Sequence, residues 1–204
     1  MFRDRQDAAN KLAHALEEYR GKNPLILAIP RGAVPMGKVI AKALEGDLDV
    51  VLVRKLRAPG NPEFAIGSVD ETGWTYLSDY ASNMPEKYIG EEKSAQIAVM
   101  RERRASYTPI RAPIDPKGRI VIVVDDGLAT GSTMIAALHA LRAKNPEKLI
   151  CAVPVAPADT LGKIRPYADE VICLEVPDPF YAVGQFYQSF DQIEDEEVIE
   201  TLRA

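Results

Sequence analysis

The sequence predicts an α/β fold built on a parallel sheet, and three observations predict it. Five short runs rich in apolar residues recur along the chain, at Leu25–Ile29, Leu48–Val53, Ile120–Val124, Lys148–Val153 and Glu170–Leu174. Helical stretches separate them, the alternation of a doubly wound sheet. The run Ile-Val-Ile-Val-Val at 120–124 has no polar break, which suits a strand covered on both faces. An apolar content of 47% over 204 residues supports a sizeable core.

The elements follow in order. Residues 5–20 place Ala8, Ala9, Leu12, Ala13, Leu16 and Tyr19 at helical spacing, and Gly21 and Pro24 end that helix. His14 falls on its more polar side. After the first strand comes a tight loop, Pro30-Arg31-Gly32-Ala33-Val34-Pro35, and a helix to about Leu44. The second strand is expected to end on Arg54-Lys55-Leu56-Arg57. That sets three cations at the carboxyl end of a strand, where open α/β sheets bind ligands. Residues 56–117 are a long insertion of the kind that serves as a lid or binding element. It reads as a loop at Ala58–Pro62, a hairpin of Phe64–Val69 and Trp74–Leu77 around Asp70-Glu71-Thr72-Gly73, and a charged helix from about Glu86 to Tyr107. Arg101 and Arg104 of that helix either reach a bound anion on closure or form a solvated helix face, and Glu63 is a candidate acid or base in the insertion. A short helix at Ala158–Tyr167 precedes the fifth strand.

The third strand carries the chemistry. Asp125 and Asp126 stand where it ends. The small residues Gly127-Leu128-Ala129-Thr130-Gly131-Ser132-Thr133 follow, and a helix begins at about Met134. Free N–H groups and the dipole at a helix start favour an anion. Gly131 permits close approach, and Thr130, Ser132 and Thr133 add hydroxyl donors. Two carboxylates beside a phosphate would repel it unless they accept sugar hydroxyls or face a cation. A ribose 5-phosphate meets both demands.

This stretch resembles the binding motif for 5-phosphoribosyl 1-pyrophosphate (PRPP) of the type I phosphoribosyltransferases: apolar run, two acidic residues, three variable ones, then Thr-Gly-x-Thr. No Gly-Lys-Ser/Thr follows, so it is not an ATP-type phosphate loop. The resemblance implies a five-stranded sheet of order 2-1-3-4-5 in one domain spanning 1–204. Its core would be 23–55 and 118–175, its lid 56–117, and its hood 1–22 with 175–204. It implies transfer of ribosyl 5-phosphate from PRPP to a nitrogen of a nucleobase or related heterocycle, with release of pyrophosphate. Arg31, Gly32, Arg54 and Lys55 would hold the pyrophosphate. Ala129, Thr130, Gly131, Ser132 and Thr133 would cradle the 5-phosphate. Asp125 and Asp126 would hold the ribose and a magnesium ion. Catalysis would rest on Asp125, Asp126, Lys55 and Arg31. The aromatic tail Glu175–Phe190 reads either as a packing cap or as a stacking surface; it is similar to the hood of purine enzymes, and in that reading Phe180, Val183 and Tyr187 are the base neighbours.

Two departures narrow the acceptor. Ala129 stands where the hypoxanthine and guanine enzymes carry an acidic residue, and Val153-Pro154-Val155-Ala156-Pro157 offers no lysine to read a 6-oxo group. A 6-oxopurine is therefore disfavoured. The missing acid also leaves open a regulator that binds PRPP or a nucleotide without turnover, and a hydrolase or phosphorylase using the same pocket.

A net charge of −5 gives no electrostatic case for nucleic acid or an anionic membrane. No apolar run approaches the ~20 residues of a membrane span. Cys151 and Cys173 lie in strand-like runs and read as reduced, buried thiols, and cysteine and histidine are too few for a zinc site. A cytoplasmic enzyme of small molecules is the expectation, with homo-oligomer formation left open.

Overall fold

The computed structural model describes residues 1–204. Helix α1 (Arg5–Ala15) leads into strand β1 (Leu25–Ala28), helix α2 (Ala33–Leu44) and strand β2 (Asp47–Val50). Strands β3 (Val53–Ala58), β4 (Asn61–Asp70) and β5 (Thr75–Leu77) follow, then the long helix α3 (Glu86–Tyr107). The chain returns through β6 (Ile120–Val124), α4 (Ser132–Arg142), β7 (Lys148–Val155), α5 (Ala158–Ile164) and β8 (Glu170–Glu175), and ends in α6 (Asp195–Arg203). No helix is long and apolar enough to cross a membrane.

Five strands form a parallel sheet of order β2-β1-β6-β7-β8, the 2-1-3-4-5 order of the expectation. The switch in strand order falls between β1 and β6, paired from Leu25↔Val121 to Ala28↔Val124. Alternation divides the core. Ile26, Ala28, Ile122, Val124, Ile150 and Ala152 face one side, with α1 and α2. Leu25, Leu27, Val121, Val123, Leu149, Cys151 and Val153 face the other, with α4 and α5. Each buried aliphatic side chain contributes roughly 1.5–3 kcal/mol. Gly37 lets α2 lie close on the sheet, since a Cβ there would sit 2.8 Å from Leu48 Cδ1. Both cysteines are free thiols, Cys151 buried and Cys173 half-buried.

The second run divides differently from the expectation. It is not one strand ending in cations: β2 stops at Val50, the chain turns at Val51-Leu52, and β3 opens a separate antiparallel sheet of order β3-β4-β5. Val50 to Val53 are all buried, so the apolar run continues through the turn and hides it. Arg54 and Lys55 therefore ride on a strand of the second sheet. The expected hairpin at 70–73 forms, fastened by Asp70 Oδ1, which accepts from Thr72 N, Thr72 Oγ1 and Trp74 N. The expected loop at 58–62 is shorter: Pro59-Gly60 form the turn, and Asn61 and Pro62 already belong to β4.

This second sheet is not loosely hung. Ile66, Ser68 and Val69 are fully buried, and Ser68 Oγ donates to the Ser132 carbonyl at 2.6 Å. Trp74 stacks on His139 of α4 at 3.7 Å, a packing contact between this sheet and the helix. Helix α3 lies across it through Glu92, Gln96, Met100 and Tyr107, a buried stripe near i, i+4 spacing.

The first residues of the sequence pair with the segment that precedes α6. Phe2 N donates to the Phe186 carbonyl at 2.8 Å, Gln188 N to the Phe2 carbonyl at 2.9 Å, and Ser189 N to the Arg3 carbonyl at 3.0 Å. Together these segments lie over the carboxyl ends of β1 and β6.

Candidate active site

A cavity of about 630 Å³ opens at the carboxyl ends of the parallel strands, at the β1–β6 switch point. The loop from β6 to α4 forms its near wall, with Asp125, Asp126, Gly127, Leu128, Ala129, Thr130, Gly131 and Thr133 all lining it. Gly131 takes the left-handed φ of +81° just before α4, and a Cβ there would lie 2.8 Å from Thr160 Cγ2. Thr160 Oγ1 donates to the Ala129 carbonyl at 2.6 Å, and Leu128 N to the Val155 carbonyl at 2.9 Å. The loop is thus fixed to β7 and α5 where it borders the cavity. Ser132 alone of this set lies behind the wall, 2% exposed, with its hydroxyl 3.1 Å from that of Thr130.

Asp125 Oδ1 accepts from Asp126 N at 2.9 Å. Burial, and then the charge of Asp126, hold the Asp125 carboxyl well above the ordinary carboxylate range, with Lys55 pulling the other way. Burial raises Asp126 too, against the pull of Arg5, whose Nε donates to Asp126 Oδ2 at 3.1 Å. A pair of desolvated carboxylates is poised for a partner of positive or hydrogen-donating character.

Arg31, Gly32, Arg54 and Lys55 also reach this cavity. The Pro30–Arg31 peptide is cis, and Arg31 Nη1 lies 3.3 Å from Glu194 Oε2. Gly32 leaves room for the Asp126–Arg5 pair: a Cβ there would displace Asp126 Oδ2 and crowd the Arg5 guanidinium. Arg54 Nε donates to Gln96 Oε1 at 2.9 Å, which aims the guanidinium from β3. Burial and the charges of Arg103, Arg57 and Arg31 lower its proton affinity. The turn region of β3 and β4 supplies the roof, through Arg57, Pro62, Glu63, Phe64 and Ala65.

The tail contributes less than expected, and differently. Val183 lines the cavity and packs on Gly127, where a Cβ would lie 2.5 Å from Val183 Cγ1. Tyr187 sits behind the wall, 6% exposed, and its hydroxyl donates to the Asp126 carbonyl at 2.6 Å. Phe180 packs on Phe186 with ring centroids 5.0 Å apart, also away from the cavity. Of the three expected base neighbours only Val183 lines the cavity, and the other two rings pack behind it. Arg101 and Arg104 do not reach the cavity either. Arg104 forks onto Glu71 at 2.6 and 3.1 Å, and Arg101 borders a separate recess of about 140 Å³.

Two cavity residues carry no signal at the sequence level. Arg5 comes from the start of α1, paired with a residue 121 positions away. Phe190 lines the cavity with the Arg5 guanidinium 4.0 Å over its ring. The aromatic density of the tail marked Phe190 only as one ring among several.

A family model described as "Phosphoribosyl transferase domain" matches residues 3–190. The chain belongs to the phosphoribosyl transferase family. Among relatives of this phosphoribosyl transferase chain, a Mycobacterium tuberculosis protein named "Putative phosphoribosyl transferase" is 39% identical over 202 residues, in strain CDC 1551 and in strain H37Rv alike. That match covers 98% of this chain and 46% of the relative, so the chain spans about half the length of the curated relatives it matches. The crystal structure of TT1426 from Thermus thermophilus superposes with a TM-score of 0.82 at 42% identity, covering 99% of this chain and 97% of that one. A hypoxanthine phosphoribosyltransferase of Staphylococcus aureus has a TM-score of 0.50 at 15% identity, covers 85% and 73%, and shares the fold. In this family setting the phosphoribosyl transferase fold brings the motif of β6–α4 and the loop after β1 to opposite sides of one cavity.

Proposed function

We propose that this phosphoribosyl transferase domain moves ribosyl 5-phosphate from PRPP to a ring nitrogen of a nucleobase or related heterocycle and releases pyrophosphate. One observation carries the reading: the helix α4 start, the Asp125–Asp126 pair and the cations Arg31, Arg54 and Lys55 converge on a single cavity.

In this reading the backbone N–H groups from Thr130 to Thr133 hold the 5-phosphate at the positive end of α4. Asp125 and Asp126 accept the ribose hydroxyls and favour the positive charge that develops at the anomeric carbon. Arg31, Arg54 and Lys55 stabilise the leaving pyrophosphate by charge-assisted hydrogen bonds. Val183 and Phe190 supply apolar contact for a flat acceptor. Ala129 has no proton to exchange, so in this reading Glu63, which lines the roof, would take the proton from the attacking nitrogen. The chain has no cluster of three or more metal-ligating side chains. The hard oxygens of Asp125 and Asp126 fit magnesium in its usual manner, in which substrate and water complete the shell. When bound, the ion would neutralise pyrophosphate charge.

Calorimetry with magnesium-PRPP on the wild type and on Asp126→Asn tests the pocket. Wild-type binding that weakens at least about tenfold in the variant supports the reading, since a charge-assisted contact contributes about 1.5–3 kcal/mol. Pyrophosphate release is then screened across bases, adenine first. A folded wild type that binds no PRPP overturns the reading. PRPP binding without turnover on any base favours the regulatory alternative, which the alanine at 129 already motivates.

A further inference from the structure

Arg5 enters the cavity from α1, and nothing in the proposed chemistry uses it. Its side chain is 13% exposed and held on three sides. Nε donates to Asp126 Oδ2 at 3.1 Å, Nη1 donates to the Asp191 carbonyl at 2.5 Å, and the guanidinium carbon lies 4.0 Å over the Phe190 ring. The remaining nitrogen, Nη2, makes no hydrogen bond within the protein, and the residue lines the cavity. Nη2 lies beside the loop after β1: a Cβ built on Gly32 would lie 3.0 Å from it and 3.1 Å from Nε.

We propose that Arg5 is a ligand-contacting residue of this cavity, its Nη2 donating to an oxygen of a pyrophosphate group seated on the Arg31-Gly32 loop. The inference rests on the reading of the cavity as a pyrophosphate-releasing site. Two physical arguments support it. The guanidinium is already ordered by Asp126, Asp191 and Phe190, so a ligand gains its hydrogen bond without the cost of fixing a free side chain. A pyrophosphate beside Asp126 would otherwise meet a like charge. Arg5 screens that carboxylate on the edge nearest Gly32, so anion and acidic pair can share one small volume. A purely structural ion pair would not need Nη2 left without a partner beside the cavity.

The test is calorimetry on the full chain with magnesium-pyrophosphate, magnesium-PRPP and ribose 5-phosphate, for the wild type, Arg5→Lys and Arg5→Gln. Lysine keeps a cation beside Asp126 but cannot donate in several fixed directions from a planar fork. The expected result is a folded Arg5→Lys chain that binds pyrophosphate and PRPP about ten- to a hundredfold more weakly and ribose 5-phosphate about as well as wild type. Equal or tighter pyrophosphate binding by both variants overturns the inference, because Arg5 would then be a bystander or a plug. Equal weakening of all three ligands in folded Arg5→Lys also overturns it, leaving a structural role. Side-chain NMR of the wild type keeps the test independent of variant folding. The Arg5 guanidinium signal should shift on adding pyrophosphate and not on adding ribose 5-phosphate, and no shift at saturating pyrophosphate overturns the contact. A wild type that binds neither pyrophosphate nor PRPP fails the underlying reading itself, an outcome distinct from wild-type binding with indifferent variants.

Discussion

The near and far walls of the cavity are built in opposite ways. The near wall is one continuous stretch, Asp125 to Thr133, shaped by local backbone and fixed to β7 and α5. The far wall is gathered from Arg5, Arg31-Gly32, the β3–β4 turn region, Val183 and Phe190, and it exists only when distant segments pack together. A wall made by local geometry fails when one backbone position is spoiled. A wall made by assembly fails when the packing behind it loosens.

That contrast can be broken at several points. Gly131→Val is expected to do most damage. It forces a β-branched residue into φ +81° and drives a Cβ to 2.8 Å from Thr160 Cγ2. A stability loss of about 3 kcal/mol or more in urea unfolding, with loss of ribose 5-phosphate binding, is expected. Leu56→Ala probes the other wall through its support. Leu56 is 0% exposed on β3, so the variant should lose about 2–4 kcal/mol by the same measurement. A loss below about 0.5 kcal/mol would mean that the second sheet is a detachable lid after all.

Ser68→Ala tests the one buried hydrogen bond that ties that sheet to the start of α4. It leaves the Ser132 carbonyl without this donor and should cost about 1 kcal/mol. Asp125→Asn should act in the opposite sense and stabilise the ligand-free chain by about 1 kcal/mol at pH 7 while weakening PRPP binding. The native carboxyl is raised above its unfolded value, so its ionisation penalises the fold above the native pKa. The gain from asparagine should therefore shrink as pH falls and vanish below the unfolded value of about 3.8, where both states are protonated. Thermal melts across pH check this, and a gain that grows on acidification would refute it. Glu194→Gln is the mildest. Its contact with Arg31 is at 3.3 Å with the glutamate side chain 55% exposed, so stability should change by under about 0.5 kcal/mol. Pyrophosphate should bind a few-fold tighter, an effect that fades in high salt.

The same contrast governs what the sequence reveals. The strand order and the near wall follow from features a few residues apart: β-branched runs, an acidic pair, glycine and hydroxyls before a helix. The break between β2 and β3 is invisible because Val50 to Val53 are uniformly apolar while the two sheets they serve are different. Arg54 is legible as a cation near the strand ends and lines the cavity, yet its orientation depends on Gln96, 42 positions away. Arg5 is wholly illegible, since an arginine in the first turn of an amphipathic helix looks like any solvated residue. The tail announces aromatic packing, but which ring meets the cavity is settled by Tyr187 reaching the Asp126 carbonyl and leaving Phe190 in front.

The pairing of the first residues with the segment that precedes α6 has a consequence for how the molecule comes into being. Arg5 and Asp191 meet across 186 positions, and the Phe2–Tyr187 bridge is as remote. Contacts of such high order form late, after shorter loops have closed. A nascent chain on the ribosome would therefore carry a finished near wall well before it owned a complete cavity. Until residues 186–191 emerge and fold back, Arg5 lacks the Asp191 carbonyl and the Phe190 ring that hold its guanidinium, and the far wall stays incomplete.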